Sequence, residues 1–186
     1  MTEAKLTERT VLEIADHEGA VLEAYLDSVG VWTWGIGVTD ASGHKVGRYV
    51  DSPATLERVL EVFEWLLREK YLPDVLKAFT RRKLAEHEIA AALSFHYNTG
   101  AINSAHWVEL WNKGEVAEAR KAIMNWSRPR EIIGRRKCER DLFFDGRWSS
   151  DGNVLVYAVA KPGYFPVKPK PMDMRLAIRK AMERAA

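Results

Sequence analysis

The sequence predicts a mainly α domain of the α+β class with one small antiparallel β-sheet inserted early. Three observations predict it. Apolar residues recur at helical spacing before Gly19 and again through most of the stretch from Pro53 to Phe144. Between these, from about Tyr25 to Tyr49, the chain turns to Gly, Val, Trp and Thr, the composition of short strands and tight turns. The length, 186 residues with 47% hydrophobic and 29% charged, suits about one domain whose core needs neither disulfide nor structural metal.

Each element has a local reason. Leu6, Val11, Leu12, Ile14 and Ala15 form the apolar face of a first helix, with Thr7 as its cap, Glu8 as a first-turn acid and Gly19 at its end. Gly30 to Val38 and the turn Asp40-Ala41-Ser42-Gly43 make the β element. Ser52 then caps and Pro53 opens a helical region. Leu56, Val59, Leu60, Phe63, Leu66 and Leu67 supply its first stripe, with Trp65 expected in the core among them, and Pro73 breaks or restarts it. Further helices are predicted at about Lys83–Phe95, Ser104–Asn112, Glu115–Asn125 and Arg130–Phe144, punctuated by Asn98-Thr99-Gly100, Gly114 and Pro129.

The end of the chain differs in kind. Asn153–Ala160 reads as a short strand, Lys161–Pro171 as turn- and polyproline-like, and Met172–Arg184 as a basic amphipathic helix. Met172, Met174, Leu176, Ile178 and Met182 are expected to dock that helix on the body. Residues 151–186 hold seven Lys/Arg against three acids, in a chain of formal net charge +2. The predicted organisation is a main domain over 1–148 and a basic extension over 149–186, which either completes the fold or binds anionic surfaces.

Composition excludes several classes. A net charge of +2 gives no electrostatic field for nucleic acid. The single cysteine, Cys138, permits neither an intrachain disulfide nor a zinc cluster, and reads as an inert thiol. No metal-spaced cluster or phosphate loop stands out, so no metal or cofactor is expected. No apolar run approaches the roughly 18 residues that span a bilayer, and residues 1–5 do not open a signal peptide; the chain is expected to be made in, and at first confined to, the cytosol.

The chemistry concentrates early. Glu18 ends the first helix, Asp27 follows nine residues on, and Thr33 six after that. A carboxyl on a helix end and another on a β loop can converge on one cleft, the arrangement that glycoside hydrolysis requires: one protonates the leaving oxygen, the other activates water on the far face. A threonine hydroxyl beside the base can hold that water. A helix-terminal Glu and a turn Asp are nonetheless common, and their spacing alone does not establish a site.

The surrounding residues do more. Glu18-Gly19, Ala24-Tyr25-Leu26-Asp27, Gly30 and Thr33-Trp34-Gly35-Ile36-Gly37-Val38-Thr39 resemble the signature of the phage-type lysozymes, glycoside hydrolase family 24. Ala92–Gly100, Trp111-Asn112-Lys113-Gly114 and Gly134-Arg135-Arg136 with Glu139-Arg140 resemble that family's later blocks, in family order over about residues 7–148. Ile36 and Val38 depart from it, standing where the family often has an aromatic and a histidine.

The resemblance implies a two-lobed, lysozyme-like fold, with an active-site β lobe at about 20–50 and a helical lobe at about 80–148. It implies hydrolysis of the β-1,4 bond between N-acetylmuramic acid and N-acetylglucosamine in peptidoglycan, with inversion at the anomeric carbon. By position, Glu18 is the general acid, Asp27 the base or electrostatic partner and Thr33 the water-positioning hydroxyl. Asn98, Trp34 and Arg135 are expected to contact substrate, Arg135 being preferred to Arg136 as the arginine that reaches the acid. At most one of Trp32 and Trp34 is expected to line the cleft, and Trp126 and His96 to be core. The implied partners are peptidoglycan glycan strands and, for export, a membrane-permeabilising holin; a monomer is expected. Two rival readings stay open: a lytic transglycosylase, which does not need Asp27 or Thr33, and an inert wall-binding module.

Overall fold

The computed structural model describes residues 5–185, and the chain divides into two compact units. One unit holds the chain up to Ile14 together with Leu67–Ser149; the other holds Ala15–Leu66 and the segment from Ser150 onward. Among the described residues no helix is long and apolar enough to cross a membrane.

The first helix, α1 (Glu8–Glu18), begins as its sequence predicts: the Thr7 hydroxyl accepts the Thr10 N–H at 3.1 Å, the side-chain cap that offsets an orphan donor of the first turn. Its last residues and everything to Leu66 belong to the β-containing unit. There β1 (Ala20–Leu26) pairs antiparallel with β2 (Trp32–Gly35), and β2 with β3 (Val38–Thr39). Helix α2 (Leu56–Leu66) follows, burying Val59, Leu60, Val62, Phe63 and Leu66. Trp65, expected in the core, is 46% exposed instead. At 100° per residue it lies on the flank of that stripe, beyond the reach of the sheet-facing side.

The C-terminal segment is not a separate extension. Strand β4 (Asn153–Ala160) lies parallel to β1, with Ala20 opposite Val156 and Val21 opposite Tyr157, and β5 (Phe165–Asp173) pairs antiparallel with β4. The sheet is therefore mixed and five-stranded, in the order β3-β2-β1-β4-β5, and not the small antiparallel one expected. The Pro-rich run predicted to be polyproline-like is β5. Prolines are tolerated in it because it is the outermost strand, whose outer row of donors needs no ladder partner. Helix α8 (Arg175–Ala185) closes the unit against α2, burying Met174, Ile178 and Ala181; Met172 and Leu176, two of the expected docking residues, are 43% and 61% exposed.

The other unit is helical. A π-helical turn (Leu67–Tyr71) leads into α3 (Leu72–Ala78), where Pro73 occupies the first turn, then α4 (Glu86–Thr99), α5 (His106–Lys113), α6 (Val116–Ala122) and α7 (Ile133–Asp145). The core is aromatic: Trp107 meets Phe95 at 5.3 Å and Phe143 at 5.1 Å between ring centroids, and Phe79 meets Trp111 at 5.3 Å. Edge-to-face pairs of this kind add to plain area burial. Trp126, expected in the core, is half-buried and packs edge-on against Phe95 at 5.4 Å.

A polar knot joins α4 to α7. Glu139, fully buried, accepts the Ser94 hydroxyl at 2.6 Å, Arg135 Nε at 2.9 Å and Arg136 Nη1. Arg136, also fully buried, donates to the Asn98 Oδ1 at 2.7 Å and the Trp126 carbonyl at 3.1 Å, and lies over the Phe95 ring. Removing one member of a buried pair leaves its partner's charge uncompensated. Glu139→Ala should therefore cost about 3–5 kcal/mol in a urea unfolding curve.

His96 gives a pH signature. It is 5% exposed, its Nε2 stands 3.4 Å from Asp74 Oδ2, and burial lowers its pKa from 6.5 against the raising effect of Asp74. The unfolded chain then binds a proton that the native state resists, so this residue's contribution is full above the unfolded pKa and is lost as pH falls. Stability should drop between about pH 7 and 5, and His96→Gln should flatten that drop in thermal melts.

Candidate active site

The three residues singled out as catalytic lie in one unit, on consecutive pieces of chain. Glu18 is the last residue of α1 and half-buried. Gly19 follows with φ +69°, its N–H donating to the Ala15 carbonyl at 2.9 Å. Here glycine is required twice: for the left-handed backbone that ends the helix, and because a Cβ would stand 2.9 Å from the Tyr157 ring and 3.2 Å from the Leu155 carbonyl.

Asp27 begins the loop between β1 and β2, where its side chain builds the turn that holds it. Its Oδ1 accepts the N–H groups of Val29 at 3.0 Å and Val31 at 2.8 Å, while its backbone N–H donates to the Val31 carbonyl. This Asx-type turn fixes the carboxylate with one oxygen. The other, Oδ2, accepts no hydrogen bond from the described residues. Thr33 sits across the ladder from Tyr25, 4% exposed, its hydroxyl donating to the Val31 carbonyl at 3.1 Å. Its lone pairs are left to accept a further donor.

Nine residues of straight strand would hold Glu18 and Asp27 roughly 30 Å apart. The strand is not straight. Val21 pairs with Gly35 and Tyr25 with Thr33, so four steps along β1 are matched by two along β2. Such a bulge bends its strand. The carbonyl of Leu22, within the bulge, accepts the Trp34 indole N–H at 3.0 Å and the Ala54 N–H at 2.8 Å, which keeps a buried acceptor satisfied.

The bend shows in the electrostatics. The Tyr25 phenol is held far above its ordinary pKa of 10.0, first by burial, then by the negative charges of Glu18 and Asp27, then by Tyr157. One side chain thus feels both carboxylates. Tyr25 was visible in the sequence only as part of a motif, without a role; its inward position follows from strand alternation, since it pairs with buried Thr33.

One expected substrate contact is corrected. Trp34 does not offer a face to substrate: it is fully buried, stacked on Tyr49 at 3.8 Å and 8° and near His44 at 5.4 Å. Trp32, two residues before it on β2 and so on the same face, meets the edge of Tyr164 at 5.2 Å. Asn98 and Arg135 belong to the helical unit. Asn98 is exposed, with Oδ1 held by Arg136, and Arg135 donates to Ser94 and Glu139. Cys138 is half-buried, and burial raises its thiol pKa, so it is no reactive thiolate. Among the described residues no group of three or more His, Cys, Asp or Glu could hold a metal ion.

Trp34→Ala should cost about 3–5 kcal/mol of stability, read from denaturant melts. A sugar-contacting tryptophan would behave differently, raising KM while the melt stayed in place.

Comparison with curated proteins found no match. Among solved structures, an endolysin from the Escherichia coli O157:H7 phage FAHEc1 is 24% identical, with a TM-score of 0.70 over 80% of this chain and 99% of its own. A variant of P22 lysozyme is 25% identical, with a TM-score of 0.59 over 77% of this chain and 100% of its own. The muramidase domain of SpmX from Asticaccaulis excentricus is 25% identical, with a TM-score of 0.58 over 76% and 99%. The family model described as phage lysozyme matches residues 15–139, which takes in Glu18, Asp27, Thr33 and both arginines, so the chain belongs to the phage lysozyme family.

Proposed function

We propose that this protein is a muramidase that hydrolyses the β-1,4 bond between N-acetylmuramic acid and N-acetylglucosamine in peptidoglycan and so lyses bacterial cells. The observation that carries the reading is the placement of Glu18 at the end of α1 and Asp27 at the start of the β1–β2 loop, at the two ends of a bulged strand whose Tyr25 pairs with buried Thr33. Family membership and the muramidase domain among its structural relatives support it.

In this reading Glu18 delivers its proton to the glycosidic oxygen as the bond to the anomeric carbon breaks. Asp27, fixed through Oδ1, offers Oδ2 as the acceptor for a proton of the attacking water, or as the charge opposite the oxocarbenium ion. Thr33 has its hydroxyl hydrogen engaged with Val31 and accepts a hydrogen bond from that same water. Water then adds on the face opposite the leaving group, and the configuration at the anomeric carbon inverts. Such a route needs the carboxyls about 6.5–9.5 Å apart, with room for water between them.

The test is release of reducing sugar from purified peptidoglycan, with mass spectrometry of the new ends. Wild type should leave hydrated muramic ends, and Glu18→Gln and Asp27→Asn should each lower kcat about 10²–10⁴-fold with unchanged melting. Anhydro ends that persist in Asp27→Asn would make the enzyme a lytic transglycosylase. Binding without cleavage would make it a wall-binding module.

A further inference from the structure

The family match ends at residue 139, and the hairpin of β4 and β5 lies beyond it. That hairpin touches β1 at both ends. At the start, β4 pairs with Ala20 and Val21, and the Tyr157 ring and Leu155 carbonyl close over Gly19, next to Glu18. At the finish, the Leu26 N–H, one residue before Asp27, donates at 2.8 Å to the carbonyl of Tyr164 in the β4–β5 turn.

The turn is held in place by more than this bond. The Tyr164 hydroxyl donates to Asp51 Oδ2 at 2.9 Å and its ring receives Trp32, the first residue of β2, edge-on at 5.2 Å. Lys161 bridges Glu23 of β1, at 2.7 Å, and Asp51. Both ends of the tyrosine–aspartate bond sit in left-handed backbone, Tyr164 at φ 55° and Asp51 at φ 56°. For a bulky residue such as tyrosine that conformation is uncommon and costly. Strain of this kind persists where the surroundings over-determine it, and it gathers at functional sites.

These contacts stabilise little by themselves. Asp51 is 58% exposed and Lys161 45%, and exposed ion pairs contribute almost nothing to folding. What they fix is geometry. Without the turn, the Leu26 N–H loses its partner and the first residue of the Asp27 loop is free to move.

We propose that the Lys161–Tyr164 turn is a latch on β1 that holds the Asp27 loop in register with Glu18, with Tyr164 as its positioning residue. The latch rests on the muramidase reading for its effect on rate, but not for its effect on structure. A displacement of about 1 Å in a catalytic group can cost 10²-fold in rate, so a weakly stabilising contact can matter greatly to turnover.

The test compares Tyr164→Ala and Tyr164→Phe with Ile178→Ala, a control that loosens α8 against α2. Amide hydrogen exchange is followed at Leu26, Val29 and Val31, and kcat and KM are measured on purified peptidoglycan well below the melting point. Tyr164→Ala should speed exchange at these three amides and lower kcat about tenfold or more, with KM nearly unchanged and the melting point shifted by only a few degrees. Tyr164→Phe keeps the ring on Trp32 and should recover most of both losses. Ile178→Ala should lower the melting point further while leaving loop exchange and kcat as in wild type.

Unchanged exchange in Tyr164→Ala, or a kcat that follows melting point across all three variants, would overturn the latch. If wild type cut no peptidoglycan, the muramidase reading would fall, and the exchange rates alone would decide the latch.

Discussion

The site depends on a bend in β1. Glu18 at a helix end and Asp27 at a loop start nine residues on come nearer than a straight strand would hold them only if the strand between them bends, and the bulge between Val21 and Tyr25 provides that bend. A bulge removes ladder bonds, so a buried carbonyl must find another donor. Leu22 finds two, the Trp34 indole and the Ala54 backbone. Trp34 is in turn locked between Tyr49 and the packing on α2, and Tyr49 shares its hydroxyl with His44 at 3.1 Å. Trp34 thus acts on the neighbouring Thr33 and Asp27 from behind, by shaping the strand.

The mixed sheet answers a second problem. Three short strands, one of them only two residues long, make a sheet with little ladder to hold a bent strand. Adding β4 on the far side of β1 turns β1 into the central strand of five. A central strand has its backbone groups engaged on both sides, and pairs of strands in isolation are marginal. The basic character of the tail then has a structural context: Lys168 and Lys170 lie on β5, the outer edge, where charge and proline discourage further strand addition.

The helices were legible because their signals are local. Thr7 as cap, Gly19 and Gly100 as left-handed ends and Pro73 in a first turn all act within a few residues. The strand Asn153–Ala160 was legible as an apolar, β-branched run. The beginning of β1 was not, because Ala20–Leu26 lacks regular alternation; its burial follows the bulge and two flanking strands. Nor was β5, since three prolines argue for a ladder-free segment unless it is known to be an edge. Trp65 was misplaced because a periodic stripe read from sequence gives no width. Glu18, Asp27 and Thr33 were legible as a spaced motif, whereas Tyr25 and the Lys161–Tyr164 turn acquire meaning only from contacts made across the sheet.

Asp27 shows why motif and fold cannot be separated here. Its two carboxylate oxygens have different work: Oδ1 builds the loop through Val29 and Val31, and Oδ2 is left outside that network. An alanine would remove turn and charge together, so its loss of rate would say little about chemistry. An asparagine keeps an acceptor oxygen for the two N–H groups and removes only the charge. The spacing from Asp27 to Val31 is therefore set by the Asx turn. A sequence with Asn there would keep the loop while losing the charge. The position is under two physical demands at once, and the aspartate carboxylate meets both.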